Sequence, residues 1–135
     1  MTTINDVCRK LLSDVSEALG AAVVDLNTGL LLGAAHNVPY FTQSYVDAVA
    51  AAAVDMFRGK TVTTIEEMLS SQRGTPLRHS VKEVQMTTDR TYHFMSLVPE
   101  KPDALVVLIT TRKASLGMGW ASLRKALGDL APLCP

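Results

Sequence analysis

A chain of 135 residues, of which 47% are apolar and 19% charged, has the length and composition of one globular domain over residues 1–135. Thirteen basic residues balance thirteen acidic ones, so the basic excess of nucleic-acid-binding proteins is absent. The longest clean apolar run, within 104–109, is far shorter than the roughly 20 residues of a membrane helix. The two cysteines, Cys8 and Cys134, lack metal-binding spacing. We therefore expect a cytoplasmic protein with reduced thiols and neither nucleic-acid binding nor membrane insertion.

The first predicted element is an amphipathic helix over about residues 4–19. Apolar side chains recur there at the three- and four-residue spacing of a helix with one buried stripe. Thr3 and Asp6 have the spacing of a capping box at its start. Gly20 stands where helices commonly end in the left-handed conformation.

A β-hairpin follows this helix. Two short apolar runs, 21–26 and 30–35, flank the glycine-containing turn 27–29, a pattern typical of a hairpin. Val23 and Val24 point to opposite faces of the predicted sheet. Because both are apolar, the first strand is predicted to be central.

A second helix is predicted over about residues 43–58, with Thr42 as its N-cap. Its composition matters more than its ends, because apolar side chains surround it almost completely and include the four alanines 50–53. A helix that packs on one face of a sheet needs one apolar stripe. The second stripe therefore predicts a second partner, and the small alanine side chains would let another backbone come close.

The connection over residues 59–80 is unusually long. One short helix that ends at Leu69 is predicted within it. Either Thr63 or Thr64 is its N-cap, and the glutamate three residues later completes a capping box. Residues 73–78 have the composition of a loop.

Three strands and a last helix complete the chain. Residues 81–88 alternate charged and apolar side chains, as in an edge strand, and 91–98 follow after a tight turn. Residues 104–111 are apolar on both faces, which predicts a central strand. Apolar spacing from Leu116 to Leu130 predicts a helix. The predicted order is α-β-β-α-β-β-β-α.

No arrangement of residues indicates catalysis or metal binding. His36, His79 and His93 are scattered without a zinc-binding spacing, and the acidic residues are spread through caps, turns and helix faces. We expect His93 to face solvent or to lie at a sheet edge. Cys8, the candidate thiol nucleophile, belongs to the apolar stripe of the first helix and indicates packing. The sequence thus predicts no enzyme, no cofactor and no metal.

The order of elements and two local patterns resemble the roadblock / dynein light chain family. The patterns are the hairpin Gly20-Ala-Ala-Val-Val-Asp25-x-x-x-Gly29-Leu-Leu-Leu-Gly and the alanine-rich helix that begins near Ser44. The resemblance covers about residues 4–130. It implies an α+β fold, a five-stranded antiparallel sheet with helix 2 on one face and the N- and C-terminal helices on the other. The long connection over 59–80 departs from the family pattern.

The resemblance also implies a homodimer formed through helix 2 and the edge strand after it. Members of the family in bacteria bind small Ras-like GTPases and can regulate them, and eukaryotic members serve dynein and scaffolds at membranes. We therefore expect a non-enzymatic dimeric scaffold or regulator whose partner is a small Ras-like GTPase. The candidate dimer interface consists of Tyr45, Ala48, Ala52, Met56, Val84 and Met86.

A local basic stretch offers a candidate rim for that partner. Arg73, Arg78 and Lys82, with His79 among them, lie either on a solvated loop or against an acidic surface of another protein. An alternative function is a small-molecule sensor of PAS or GAF type. Such domains have more aromatic residues than the 5% found here. A pocket of a few hundred Å³ with convergent polar groups would favour the sensor.

Overall fold

Five strands form one antiparallel sheet in the computed structural model, which describes residues 1–135. The strand order is β2-β1-β5-β4-β3, so β1, β5 and β4 are interior strands, while β2 and β3 are the edges. The α+β class and the order of the predicted elements are confirmed. The elements are α1 (Ile4–Asp14), β1 (Ala18–Asp25), β2 (Leu31–His36), α2 (Gln43–Arg58), α3 (Lys60–Arg73), β3 (Glu83–Thr87), β4 (Thr91–Val98), β5 (Lys101–Thr111), α4 (Leu116–Leu130) and a 3₁₀ turn at Ala131–Leu133.

The sheet separates two hydrophobic cores. Helices α1 and α4 cover one face, where Val23 and Leu108 are buried. Helix α2 covers the other face, where Val24 and Leu105 are buried. Because side chains alternate along a strand, β1 and β5 send apolar residues into both cores, which confirms that both strands are central.

Helix α1 is shorter than predicted. The predicted capping box is present, since the Thr3 backbone N–H donates to Asp6 and the Asp6 N–H donates to the Thr3 hydroxyl. The helix ends at Asp14, however, and the left-handed residue is Glu17 instead of Gly20. From Ala18 onward the chain pairs with β5, so long-range strand pairing outweighs a spacing that also suits a helix.

The predicted hairpin is confirmed, with a turn over residues 26–30. Gly29 has a φ of 74°, a left-handed conformation that glycine adopts without steric cost. The Asp25 carboxylate stabilises the turn by accepting the backbone N–H of Asn27 at 3.0 Å and the hydroxyl of Thr28 at 3.0 Å. That carboxylate is therefore part of the turn itself.

Helix α2 has the predicted bounds, and the Thr42 hydroxyl accepts the N–H of Tyr45 as the N-cap. The helix runs along β1. At its start the Phe41 ring lies so close to Gly20 that a Cβ there would come within 2.6 Å of the ring. At the other end Val54 lies above Gly29 in the β1–β2 turn.

The long connection contains a full helix, α3, where a short one was predicted. It follows α2 after Gly59 alone, which has extended backbone angles, and it ends at Gly74 with a φ of 67°. Neither Thr63 nor Thr64 caps it. Their hydroxyls instead donate to carbonyl oxygens one turn earlier within the helix.

The second half of the chain contains one wrong prediction. His93 was expected at the surface or at a sheet edge, but it lies in interior strand β4 with a side chain only 7% exposed. It pairs there with Met86 of β3 and Ile109 of β5. The Thr91 hydroxyl lies 3.0 Å from its Nε2 atom, which provides a hydrogen-bond partner.

Candidate functional site

The outward side of α2 is the first part of the candidate site. Ala50, Ala53 and Phe57 are buried toward the sheet. Tyr45 and Ala52 are exposed, on another side of the helix. The sheet therefore uses one apolar stripe of α2 and leaves a second one, around Ala48 and Ala52, uncovered, while Tyr45 at its edge packs on Phe41 and Met56 packs against the core on the α2 side. Of the candidate residues on this helix, Ala48 is also exposed and Met56 is half-buried.

The edge strand β3 is the second part. Val84 and Met86 pack against the core on the α2 side of the sheet but remain half-buried. Glu83, Gln85 and Thr87, which alternate with them, are exposed. Because β3 pairs only with β4, its other edge has free backbone N–H and C=O groups. The structure thus places all six candidate interface residues on the α2 side of the sheet.

The candidate rim residues extend from Arg73, the last residue of α3, to Lys82, which directly precedes β3. Arg73, Arg78 and Lys82 are all exposed, and none of them forms an ion pair. Lys82 donates from Nζ to the carbonyl oxygen of His79 at 2.9 Å. No acidic residue occurs between Arg73 and Lys82. This segment therefore carries three cationic side chains without an ion pair, and Glu66 and Glu67 line the same groove as Arg78.

A polar cluster that the sequence did not reveal ties α2 to the sheet. Arg58 forms an ion pair with Asp103 at 3.1 Å and also donates to the carbonyl oxygen of Pro102. Asn27 donates to the same Asp103 carboxylate at 2.9 Å. The hydrogen bond from Arg58 is the main reason that the pKa of Asp103 lies below its ordinary value. Arg58 lies 45 positions and Asn27 lies 76 positions from Asp103 in the sequence, so local patterns could not predict these contacts.

Glu66 holds α3 against the loop that leads to β3. Its side chain is buried and accepts hydrogen bonds from both the backbone N–H of Ser80, at 2.7 Å, and the Ser80 hydroxyl. Burial alone would raise the pKa of Glu66, but these hydrogen bonds outweigh it and lower the pKa below its ordinary value. One turn later, Ser70 bonds to the backbone of Leu77. Polar contacts therefore fasten α3 to this loop.

The apolar cleft beside α2 lacks the character that a ligand sensor requires, whereas a pocket of about 280 Å³ lined mainly by polar side chains, among them Arg58, Glu66 and His79, has the size and the polar groups of one. A shallow apolar cleft lies between the first half of α2 and strands β1 and β2. Its only residues with polar side chains are His36 and Tyr45. Convergent polar groups, which orient a small ligand in a sensing pocket, are thus lacking in this cleft. A larger groove, between α3 and residues 74–78, is open to solvent.

Metal binding, thiol reactivity and membrane insertion can each be examined from the side chains and helices of the structure. No group of three or more His, Cys, Asp or Glu side chains is arranged to hold a metal ion. Burial raises the pKa of the Cys8 thiol to about 12, so this cysteine stays protonated and is a poor nucleophile at neutral pH. No helix is long and apolar enough to cross a membrane.

Comparison with known proteins identifies the fold. No protein-family model matches the sequence, and no curated protein is detectably similar to it. Among solved structures, a Roadblock/LC7 domain from Streptomyces avermitilis superposes with a TM-score of 0.72 at 15% identity, covering 97% of both chains. MglB from Myxococcus xanthus gives 0.70 at 20% identity, covering 96% of this chain and 93% of its own. A structure described as MglB with tetrameric arrangement gives 0.71 at 19% identity, covering 96% and 85%. The chain has the Roadblock/LC7 fold.

Proposed function

We propose that this chain, with its Roadblock/LC7 fold, is a non-enzymatic homodimer that acts as a scaffold or regulator by binding another protein, a small Ras-like GTPase. The observation that carries the proposal is the apolar stripe of α2 that the sheet leaves uncovered, beside an edge strand with free pairing groups. Self-association agrees with the tetrameric arrangement described for one MglB of the same fold. The GTPase comes from the family resemblance of the sequence.

The proposed dimer uses two surfaces that a second copy of the chain would cover, the exposed side of α2 and the free edge of β3. Exposed Ala48 and Ala52 allow the backbone of a second helix to come close, and Tyr45 supplies apolar area beside them. Strand β3 offers a backbone edge, with Val84 and Met86 still half-buried. A second copy of the chain covers both surfaces at once, because a two-fold interface uses the same patch on each subunit.

The partner protein is proposed to bind with the basic segment at its rim. Arg73, Arg78 and Lys82 suit an acidic surface because they are exposed and form no ion pair. The net charge of zero implies that apolar and shape-matched contacts supply most of the affinity. Charge reversal at the rim is therefore expected to alter the association rate and its salt dependence more than the dissociation rate.

The dimer is tested with Ala52→Asp in sedimentation equilibrium. We expect a buried, unpaired carboxylate to weaken the dimer by about 1–3 kcal/mol, or roughly 5- to 150-fold in Kd. The matched control is Ala121→Asp, which places the same side chain on the exposed surface of α4. A wild-type chain that stays monomeric at micromolar concentration, or equal effects of the two variants, would contradict the dimer.

The partner is tested by calorimetry with the Ras-like GTPases of the same genome, each loaded with GDP or a GTP analogue. Nucleotide-dependent binding indicates a regulator, and binding that ignores the nucleotide indicates a scaffold. Arg78→Glu should slow association in either case. If no GTPase binds at tens of micromolar, the GTPase proposal is wrong.

A further inference from the structure

A polar pocket of about 280 Å³ lies where α2, α3 and the loop after α3 meet the β1–β2 turn. Leu26 is its only apolar lining residue. The other lining residues have polar or charged side chains: Asn27, Arg58, Thr63, Glu66, Arg78 and His79. Because this volume is near the lower limit of ligand-binding pockets, the pocket suits a small molecule.

Contacts within the chain hold the walls of the pocket in place. The side chain of Arg58 is only 13% exposed and is fixed by its ion pair with Asp103. Two hydrogen bonds from Ser80 hold the Glu66 carboxylate. His79, next to Ser80 in the chain, has a φ of 52°, a left-handed conformation that residues other than glycine rarely adopt. A ligand that enters a pocket with ordered walls has a smaller entropic cost to overcome.

The positive groups of the pocket keep free hydrogen-bond donors, whereas the carboxylates beside them are already bound. Arg58 uses Nη1 and Nη2 within the chain, and its Nε forms no hydrogen bond there. Arg78 is exposed, and its guanidinium forms no ion pair. Asp103 accepts from Arg58 and Asn27, and Glu66 accepts twice from the loop after α3. The groups that remain for a ligand are therefore mainly cationic donors.

The ring of His79 shows which charge dominates in the pocket. Its pKa lies below the ordinary value, first because of burial and then because of the guanidinium groups of Arg58 and Arg78. Asp103 and Glu66 act in the opposite direction, each more weakly than either arginine. Positive charge therefore outweighs negative charge at this ring, and the neutral imidazole still offers one N–H donor.

We propose that this pocket binds a small phosphate monoester, whose phosphate group contacts Arg58, Arg78 and His79. Guanidinium groups match the geometry of phosphate oxygens, and a phosphate monoester has three terminal oxygens where a carboxylate has two. The side-chain oxygens of Asn27 and Thr63 can still accept hydrogen bonds, because each residue acts only as a donor through its side chain within the chain. They suit hydroxyl groups on the rest of the ligand. This inference goes beyond the proposed function and depends on neither the dimer nor the GTPase.

Calorimetric titration of the protein alone, with no GTPase present, tests the site. The probes are glycerol 3-phosphate, inorganic phosphate and glycerate, all at one ionic strength. We expect glycerol 3-phosphate to bind once per chain, more tightly than inorganic phosphate, and about 10-fold or more above glycerate. Arg78→Gln should raise the Kd of glycerol 3-phosphate at least about 10-fold, because charge-assisted hydrogen bonds are lost. The matched control, Arg90→Gln, removes the same charge from the exposed β3–β4 turn and should leave the Kd unchanged.

A second measurement reports on the pocket itself. In NMR titrations, glycerol 3-phosphate should raise the pKa of His79, because a dianion beside the ring favours its charged form. The ring signals of His36, which does not line this pocket, should not shift when the probe is added. An unchanged His79 signal overturns the phosphate site, and so does the absence of saturable binding by either phosphate probe below about 10 mM.

Two further results would also overturn the phosphate site. Equal weakening by Arg78→Gln and Arg90→Gln would assign the binding to general surface charge. Glycerate that binds as tightly as glycerol 3-phosphate would show that the pocket does not recognise phosphate. All these outcomes leave the proposed dimer and its partner protein intact, since sedimentation and GTPase binding test those separately.

Discussion

Gly119 of α4 offers a sharp test of how tightly α4 packs on the sheet. A Cβ at this position would come within 2.5 Å of the Phe94 ring and within 3.0 Å of two further ring atoms. The ring is fully buried and cannot easily move, because Trp120 packs edge-on against it at 5.4 Å and Tyr92 at 6.3 Å. We therefore expect Gly119→Ala to destabilise the protein, although alanine is the better helix former.

The magnitude follows from two opposing contributions. Replacing glycine by alanine inside a helix stabilises by up to about 1 kcal/mol. Forcing an extra methyl group into a filled core costs about 1–3 kcal/mol. The net loss expected for Gly119→Ala is up to about 2 kcal/mol. Gly128 lies in the same helix with no atom within 4 Å of its would-be Cβ, so Gly128→Ala keeps only the favourable contribution.

Urea unfolding at a fixed protein concentration measures both variants, since dimerisation makes apparent stability depend on concentration. The free energies of unfolding of the two variants should differ by about 1–3 kcal/mol, with Gly128→Ala the more stable. Thermal midpoints should move by roughly 3–5 °C per kcal/mol. A Gly119→Ala protein as stable as Gly128→Ala would refute the close contact between α4 and Phe94.

Three further outcomes can be measured. Burial holds the pKa of His93 below its ordinary value, so the unfolded chain binds a proton at this residue more readily than the folded one does. The contribution of His93 to the free energy of unfolding should therefore be fully present above pH ~6.5 and fall as the pH drops below that value. His93→Gln should flatten that slope in urea titrations between pH 7.5 and 5.5, and an unchanged slope would assign it to other groups. Glu66→Ala removes the acceptor oxygen, so it should lose hydrogen-exchange protection at the Ser80 amide, at a cost of about 1–3 kcal/mol, and retained protection would contradict the contact. Cys8→Ala should cost about 1 kcal/mol in unfolding and leave partner binding unchanged, whereas lost binding would indicate a role beyond packing.

Local patterns predicted those parts of the fold that depend on near neighbours in sequence. The Thr3–Asp6 capping box, the Thr42 cap of α2 and the turn at Gly29 each involve groups at most three or four residues apart. Central strands were also predictable, because residues such as Val23 and Val24 are apolar on both faces. In these cases the local sequence and the tertiary structure favour the same conformation.

Part of the candidate site was predictable in the same way. The excess of apolar residues around α2 indicated that this helix needs a second partner. Spacing alone did not decide which stripe remains open, because Ala50 and Ala52 are chemically identical. Only the packing of Phe57 and its neighbours on the sheet buries one stripe and leaves the other exposed.

Other features depended on contacts between distant parts of the chain. Residues 15–19 suit a helix by spacing, but pairing with β5 makes Ala18 the start of a strand. His93 is polar by type, yet it is buried because β3 and β5 flank its strand. Glu66 has the position of a capping residue in sequence, but it binds Ser80, fourteen residues away. The sequence by itself determined the local caps, turns and apolar stripes; the tertiary structure decided the rest, because the burial of a group depends on what packs against it.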